Sequence, residues 1–143
     1  MFREICTFIA AQSGFAIGST LQTGRYAQNA PVRCVLVSES GGVPYFYPNT
    51  DMADLTIQVL SRAEKYFDAR ADIYAVHNAI HGTSGWNLPR LDGASGEDYL
   101  AMTIEALAVP QYLGEDDNRR HLFSANYIFR MEEGSCTEHE SGA

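Results

Sequence analysis

Lysine is almost absent from this chain. Lys65 is the only one among 143 residues, and the other nine cations are arginines. Ten cations face 18 acids, so the net charge is -8 and the pI about 4.8. A general nucleic-acid binder needs a basic face to neutralise phosphates, and this balance excludes that class. Cysteine is also scarce. Cys6, Cys34 and Cys136 are odd in number, far apart and without a CxxC pair. A disulfide framework is therefore not expected, and a reducing, intracellular setting is. Long apolar runs are missing as well. The N-terminal stretch MFREICTFIAAQSG is broken by Arg3, Glu4 and Gln12, unlike a signal peptide. No segment approaches the roughly 18–20 apolar residues of a membrane-spanning helix.

What the chain does have is enough apolar material for one core. Hydrophobic residues make up 45% and aromatics 11%, which predicts a single packed domain. Arginine forks favour paired, planar contacts such as those at interfaces.

Periodicity divides the chain into elements. Phe2, Ile5 and Phe8 or Ile9 fall at helical spacing, so residues 2–12 read as a short amphipathic helix stopped by Gly14. Residues 15–26 alternate only weakly, in Ile17, Ser19 and Leu21, with Gly24 at their end. In VRCVLVSES, Val32, Cys34 and Leu36 share one face and Val35 and Val37 the other, which predicts a strand covered on both sides. Gly41-Gly42 marks a turn, and VPYFYPN, with two prolines, suits an edge or irregular extended segment. DLTIQVLSR (54–62) is the clearest strand. From Tyr66 to His81 the period changes: Ala69, Ile73, Val76 and Ile80 form one helical stripe, ended by Gly82. Asp68 and Asp72 sit in the N-terminal half, where the helix dipole favours them. Gly85–Pro89 reads as a short strand and LDGASGED as a loop. TIEALAVPQYL and HLFSANYIFRM read as two longer extended segments.

The order is helix, strands, helix, strands. It predicts an α+β domain over residues 1–131, with a mainly antiparallel sheet packed against two helices. The remaining segment, 132–143, holds four glutamates and no large apolar residue, and reads as a flexible acidic tail.

The densest cluster of charge is GEDDNRRH (114–121). Glu115, Asp116 and Asp117 are consecutive, so regular structure cannot aim all three at one substrate. The alternating oxygens and distant glutamate of a calcium loop are absent. The stretch reads as a hairpin loop in which Gly, Asp and Asn supply the turn chemistry, while Arg119 and Arg120 offset the acids. Its functional alternative is a charged tip that reaches a neighbouring subunit.

His77 and His81, in HNAIH, lie one helical turn apart, the spacing used by zinc helices. Asn78 stands where a catalytic glutamate would be, and the fold would have to supply His121, Asp98 or Cys34 as a third ligand. The plainer reading puts both on the polar flank near a helix C-terminus. Ser84 in GTSGW and Ser95 in GASGE fail the nucleophile-elbow pattern. No glycine-rich stretch carries the lysine of a phosphate loop. Cys34 reads as a small buried hydrophobe, and Trp86 as a core anchor or buried interface residue.

Several segments together resemble the tail terminator (minor capsid, head–tail joining) family of long-tailed bacteriophages. DLTIQVLSRA followed by the helix containing ADIYAVHNAI-HG is similar to that family's central strand, arginine and helix. VPQYLGEDDNRRHLFSANYIFRM resembles its closing hairpin, through Pro110, Leu113-Gly114, Asp116 or Asp117, and Ser124-Ala125-Asn126. The resemblance spans about residues 30–131.

It implies a small structural virion protein with no catalysis and no cofactor or metal. Such a protein forms a hexameric ring that caps the tail tube, stops its polymerisation and docks the head or neck connector. It would belong to the tail and neck of the virion after assembly in the host cytoplasm, away from membranes. DNA would pass through its lumen without specific binding, and net negative charge suits that passage. Arg62, at the end of the central strand, is expected to make a structural or intersubunit ion pair. With Glu115, Asp116, Asp117, Arg119 and Arg120 it forms the candidate interface. Two other classes remain open on the residues alone: a small metal-dependent enzyme using His77 and His81, and a monomeric acidic adaptor.

Overall fold

The computed structural model describes residues 2–42, 52–89 and 99–133. Its elements are α1 (Phe2–Ser13), β1 (Leu21–Thr23), β2 (Cys34–Gly42), β3 (Met52–Ala63), α2 (Tyr66–Ile80), β4 (Ser84–Leu88), β5 (Tyr99–Ala106), β6 (Gln111–Glu115) and β7 (His121–Glu133). The seven strands form one sheet in the order β1-β2-β3-β7-β5-β4, with β6 also paired to β7. All pairings are antiparallel except β1 with β2. The expected α+β class, two helices against a mainly antiparallel sheet, is the class observed. No helix among the described residues is long and apolar enough to cross a membrane.

Both helices lie on one face of the sheet. Ala69, Ile73, Val76 and Ile80, the stripe read from sequence, are all fully buried. They meet the alternate residues Ile57 and Val59 of β3 and Phe123, Ala125, Tyr127 and Phe129 of β7 in one core cluster. At roughly 1.5–3 kcal/mol for each fully buried large apolar side chain, this layer dominates the stability. The Ser61 hydroxyl donates to the Ala69 carbonyl at 2.7 Å and ties α2 to β3. Gly14 (φ 83°) ends α1 with its N–H on the Ala10 carbonyl. Gly82 (φ 73°) follows α2 and gives its N–H to Ile104 of β5. Both stops use the left-handed backbone that glycine adopts without steric cost.

No helix covers the opposite face of the sheet among the described residues. Cross-strand rows such as Ser38–Gln58–Asn126 and Thr56–Ile128 line it. Its β2 corner is an exception: Cys34 and Leu36 are buried there. Segment 26–32 folds over them, so β2 is covered on both sides at that corner, as its pattern predicts.

Four sequence expectations change. Gly41-Gly42 belongs to β2 rather than to a turn, and a register shift between Glu39 and Gly42 keeps Gly42 opposite Leu55. Only residues 21–23 of the weak 15–26 alternation form a regular strand. TIEALAVPQYL is two strands rather than one, because Pro110 has no N–H to donate to a ladder. β5 pairs with residues 127–133 of β7, and β6 with residues 121–124. Finally, β7 runs to Glu133, so the first two residues of the expected acidic tail belong to the sheet. The VPYFYPN and LDGASGED segments and residues 134–143 lie outside the described residues.

Candidate functional site

The charged cluster folds as the hairpin tip between β6 and β7. Asp116 organises it. Its Oδ1 accepts the N–H groups of Asn118 and Arg120, each at 2.9 Å, and its Oδ2 accepts Arg120 Nε at 3.1 Å. The backbone N–H of Arg120, foremost, holds the Asp116 carboxyl below its ordinary pKa. Asp116 and Arg120 are therefore used in building the turn. Arg119 takes a left-handed conformation, φ 59°, and Glu115 lies 3.7 Å from His121 Nε2. Exposed Glu115, Asp117 and Arg119 are the charges the tip presents outward.

Beside the tip is an apolar ridge. The pattern of buried stripes did not reveal it. Tyr66 and Phe67, in the first turn of α2, meet at 5.2 Å between ring centroids. Tyr66 also meets Tyr112 of β6 and Phe123 of β7, each at 5.2 Å. The Tyr112 hydroxyl and His121 Nδ1 are hydrogen-bonded at 2.8 Å. Phe67 is 77% exposed and Leu113 53%. Eight large apolar side chains are exposed among the described residues, and six of them come from residues 66–67 and 107–113. Such concentration marks an interaction surface rather than scattered surface residues. The legible signal was Phe67, an aromatic off the buried stripe of α2, together with two adjacent apolar residues, Tyr112-Leu113, in a strand with one paired edge.

Arg62 is at the end of β3, as expected, but the expected ion pair is replaced. Its Nε donates to the Val32 carbonyl (3.0 Å) and its Nη2 to the Pro31 carbonyl (2.8 Å), and its guanidinium lies over the Tyr26 ring. At 8% exposure it is committed inside the subunit, because segment 26–32 folds back over the sheet corner to reach it. A carboxylate is paired elsewhere: Arg33 grips the buried Asp72 of α2 with two bonds, at 2.9 and 3.0 Å.

His77 and His81 stack, with ring centroids 4.7 Å apart and planes at 13°. His77 Nδ1 is hydrogen-bonded to the Tyr127 hydroxyl (3.1 Å), and His81 Nδ1 accepts the Ala106 N–H (3.3 Å). An N–H donor on Nδ1 leaves the His81 proton on Nε2. That tautomer opposes metal binding there. Burial, then the neighbouring His81, lowers the His77 pKa. Of the possible third ligands, His121 is bound to Tyr112, Cys34 is buried in β2, and Asp98 lies outside the described residues. No group of three possible ligands converges among the described residues.

A groove of about 340 Å³ opens between α1 and β4, lined by Phe8, Ala11, Trp86, Leu88 and Pro89 with Glu4, Thr7, Gln12 and Asn87. Trp86 is half-buried and packs on Phe8 at 5.2 Å.

A family model described as a bacteriophage tail terminator protein matches residues 8–133. A search of curated proteins finds no match. Among solved structures, the chain is similar to one in the virion of a native gene transfer agent particle. The two are 16% identical, with 87% of this chain and 84% of that chain covered and a TM-score of 0.51. At that identity the likeness shows a shared fold.

Proposed function

The chain belongs to the bacteriophage tail terminator family, and from that premise we propose that it forms a ring that caps the tail tube. The ring stops tube polymerisation and presents a surface to the head or neck connector. It is a structural protein of the virion; the ring is hexameric and lies in the tail and neck region after assembly in the host cytoplasm. One observation about the chain itself carries the reading. Six of its eight exposed large apolar side chains among the described residues come from the start of α2 and the stretch through β6, beside a charged hairpin tip, where a subunit in an assembly needs contact area. A monomeric adaptor would leave that ridge in water. The net charge of -8 supports a lumen that lets DNA pass without holding it. The His81 ring, whose Nδ1 accepts the Ala106 N–H and so carries its proton on Nε2, supports a structural role for that histidine rather than a zinc ligand.

The test is the solution mass of the purified chain, alone and mixed with its tail tube protein, followed by electron microscopy. Closed rings or tubes capped at one end are expected. A chain that stays monomeric and leaves tube length unchanged overturns the reading.

A further inference from the structure

The apolar ridge and the apolar groove sit at opposite ends of β7. Tyr112 of the ridge is level with Phe123, whereas Trp86 of the groove is level with Ala101 and, through it, Met131. Eight strand residues separate Phe123 from Met131, roughly 26 Å at about 3.3 Å per residue. A chain cannot fold its own ridge into its own groove across that span. Every copy nevertheless carries one of each.

We infer that the Tyr112-Leu113 ridge of one subunit seats in the α1–β4 groove of the next copy of this chain. This deepens the ring reading and rests on it, since it names the two surfaces that join neighbours.

Three observations favour a second copy as the occupant. The groove is walled by Phe8, Ala11, Trp86, Leu88 and Pro89, and its 340 Å³ lies at the small end of the roughly 300–1,000 Å³ of ligand pockets. Its size and apolar walls suit a few side chains better than a polar metabolite. The ridge also lies on a strand with an open edge: β6 is paired only with β7 among the described residues. Last, the two surfaces differ and lie at opposite ends of one strand. Made head-to-tail, a contact between unlike patches repeats from copy to copy and closes into a ring or extends as a filament.

Cross-linking between two variants tests this. Leu113→Cys and Ala11→Cys are each made in a Cys136→Ser background. Cys6 and Cys34 stay unreactive at neutral pH, because burial pushes both thiols up, Cys6 to about 12. The variants are oxidised singly and as a mixture, in the presence of tail tube protein. A disulfide between the two different variants, with little in either alone, is the expected result. Disulfides within Leu113→Cys alone overturn the assignment in favour of a ridge-to-ridge contact. Absence of any cross-link in a sample that still forms rings overturns the assignment and leaves the ring reading standing. Rings absent from the wild-type chain as well overturn both.

A second measurement uses Trp86, the single tryptophan. Its emission is expected to shift on assembly. Leu113→Asp, at an exposed site, is expected to abolish both the shift and the high-mass species with an unchanged melting temperature. Assembly of that variant with the normal shift counts against the inference.

Discussion

The Arg62 guanidinium carbon stands 4.1 Å from the centre of the Tyr26 ring while two of its nitrogens donate to the carbonyls of Pro31 and Val32. One side chain thereby fastens segment 26–32 over the β2 corner of the sheet. Arg62→Ala removes two charge-assisted bonds and the ring contact, a loss of about 2–3 kcal/mol. Arg62→Lys is expected to recover only part of it, since an ammonium cannot serve both carbonyls and the ring face in one plane. Chemical denaturation of the three proteins checks this. Equal stability of all three would show that the segment is held by something else.

Arg33 and Asp72 make an asymmetric pair. Arg33 is half in water, whereas the Asp72 side chain is 8% exposed. Arg33→Ala strands a buried carboxylate and is expected to cost about 1–2 kcal/mol after allowance for solvent screening of the exposed partner. Asp72→Asn keeps an oxygen for the guanidinium and removes the buried charge, so a smaller loss is expected. Midpoints in urea decide between them, and the reverse order would contradict this account.

His77 gives the fold a dependence on pH. Burial and the stacked His81 hold its folded pKa below the ordinary 6.5. The unfolded chain therefore binds the proton more readily, and stability rises with pH through this window. The contribution is present above about 6.5 and is lost as pH falls from there through the lower folded value. Thermal melts between pH 8 and 5 should show a loss for the wild-type chain that shrinks in His77→Gln. An identical pH profile for the two would remove His77 from the explanation.

Asp116 and Arg119 set the hairpin tip from opposite directions. Asp116→Ala deletes the acceptor for Asn118, the Arg120 backbone and the Arg120 side chain, and is expected to lower the melting temperature. Arg119→Gly relieves a left-handed backbone at a non-glycine residue, and is expected to leave the melting temperature unchanged or raise it. If Arg119→Gly also weakens assembly on tail tubes, its guanidinium reaches a neighbour.

Residues 134–143 are polar and acidic, and we expect their deletion to leave the melting temperature of the remaining chain unchanged. A large drop would show that they dock on the fold.

The elements were legible wherever one periodicity ran without interruption. The α2 stripe, β3 and β7 each repeat at the spacing of a single buried face, and burial of that face is a local property of the pattern. The hairpin tip was legible too, because Asp116 and the turn residues around it act within four positions of one another. Tertiary structure decided what depends on partners distant in sequence. Arg62 acquired carbonyls some thirty residues earlier instead of a carboxylate, since only the folded path of segment 26–32 brings them there. The split of residues 103–113 into β5 and β6 arises from how two segments share the length of β7. The ridge combines the start of α2 with β6, and the groove combines α1 with β4. Sequence determined that these side chains are apolar; only the fold determined which of them the core would leave uncovered.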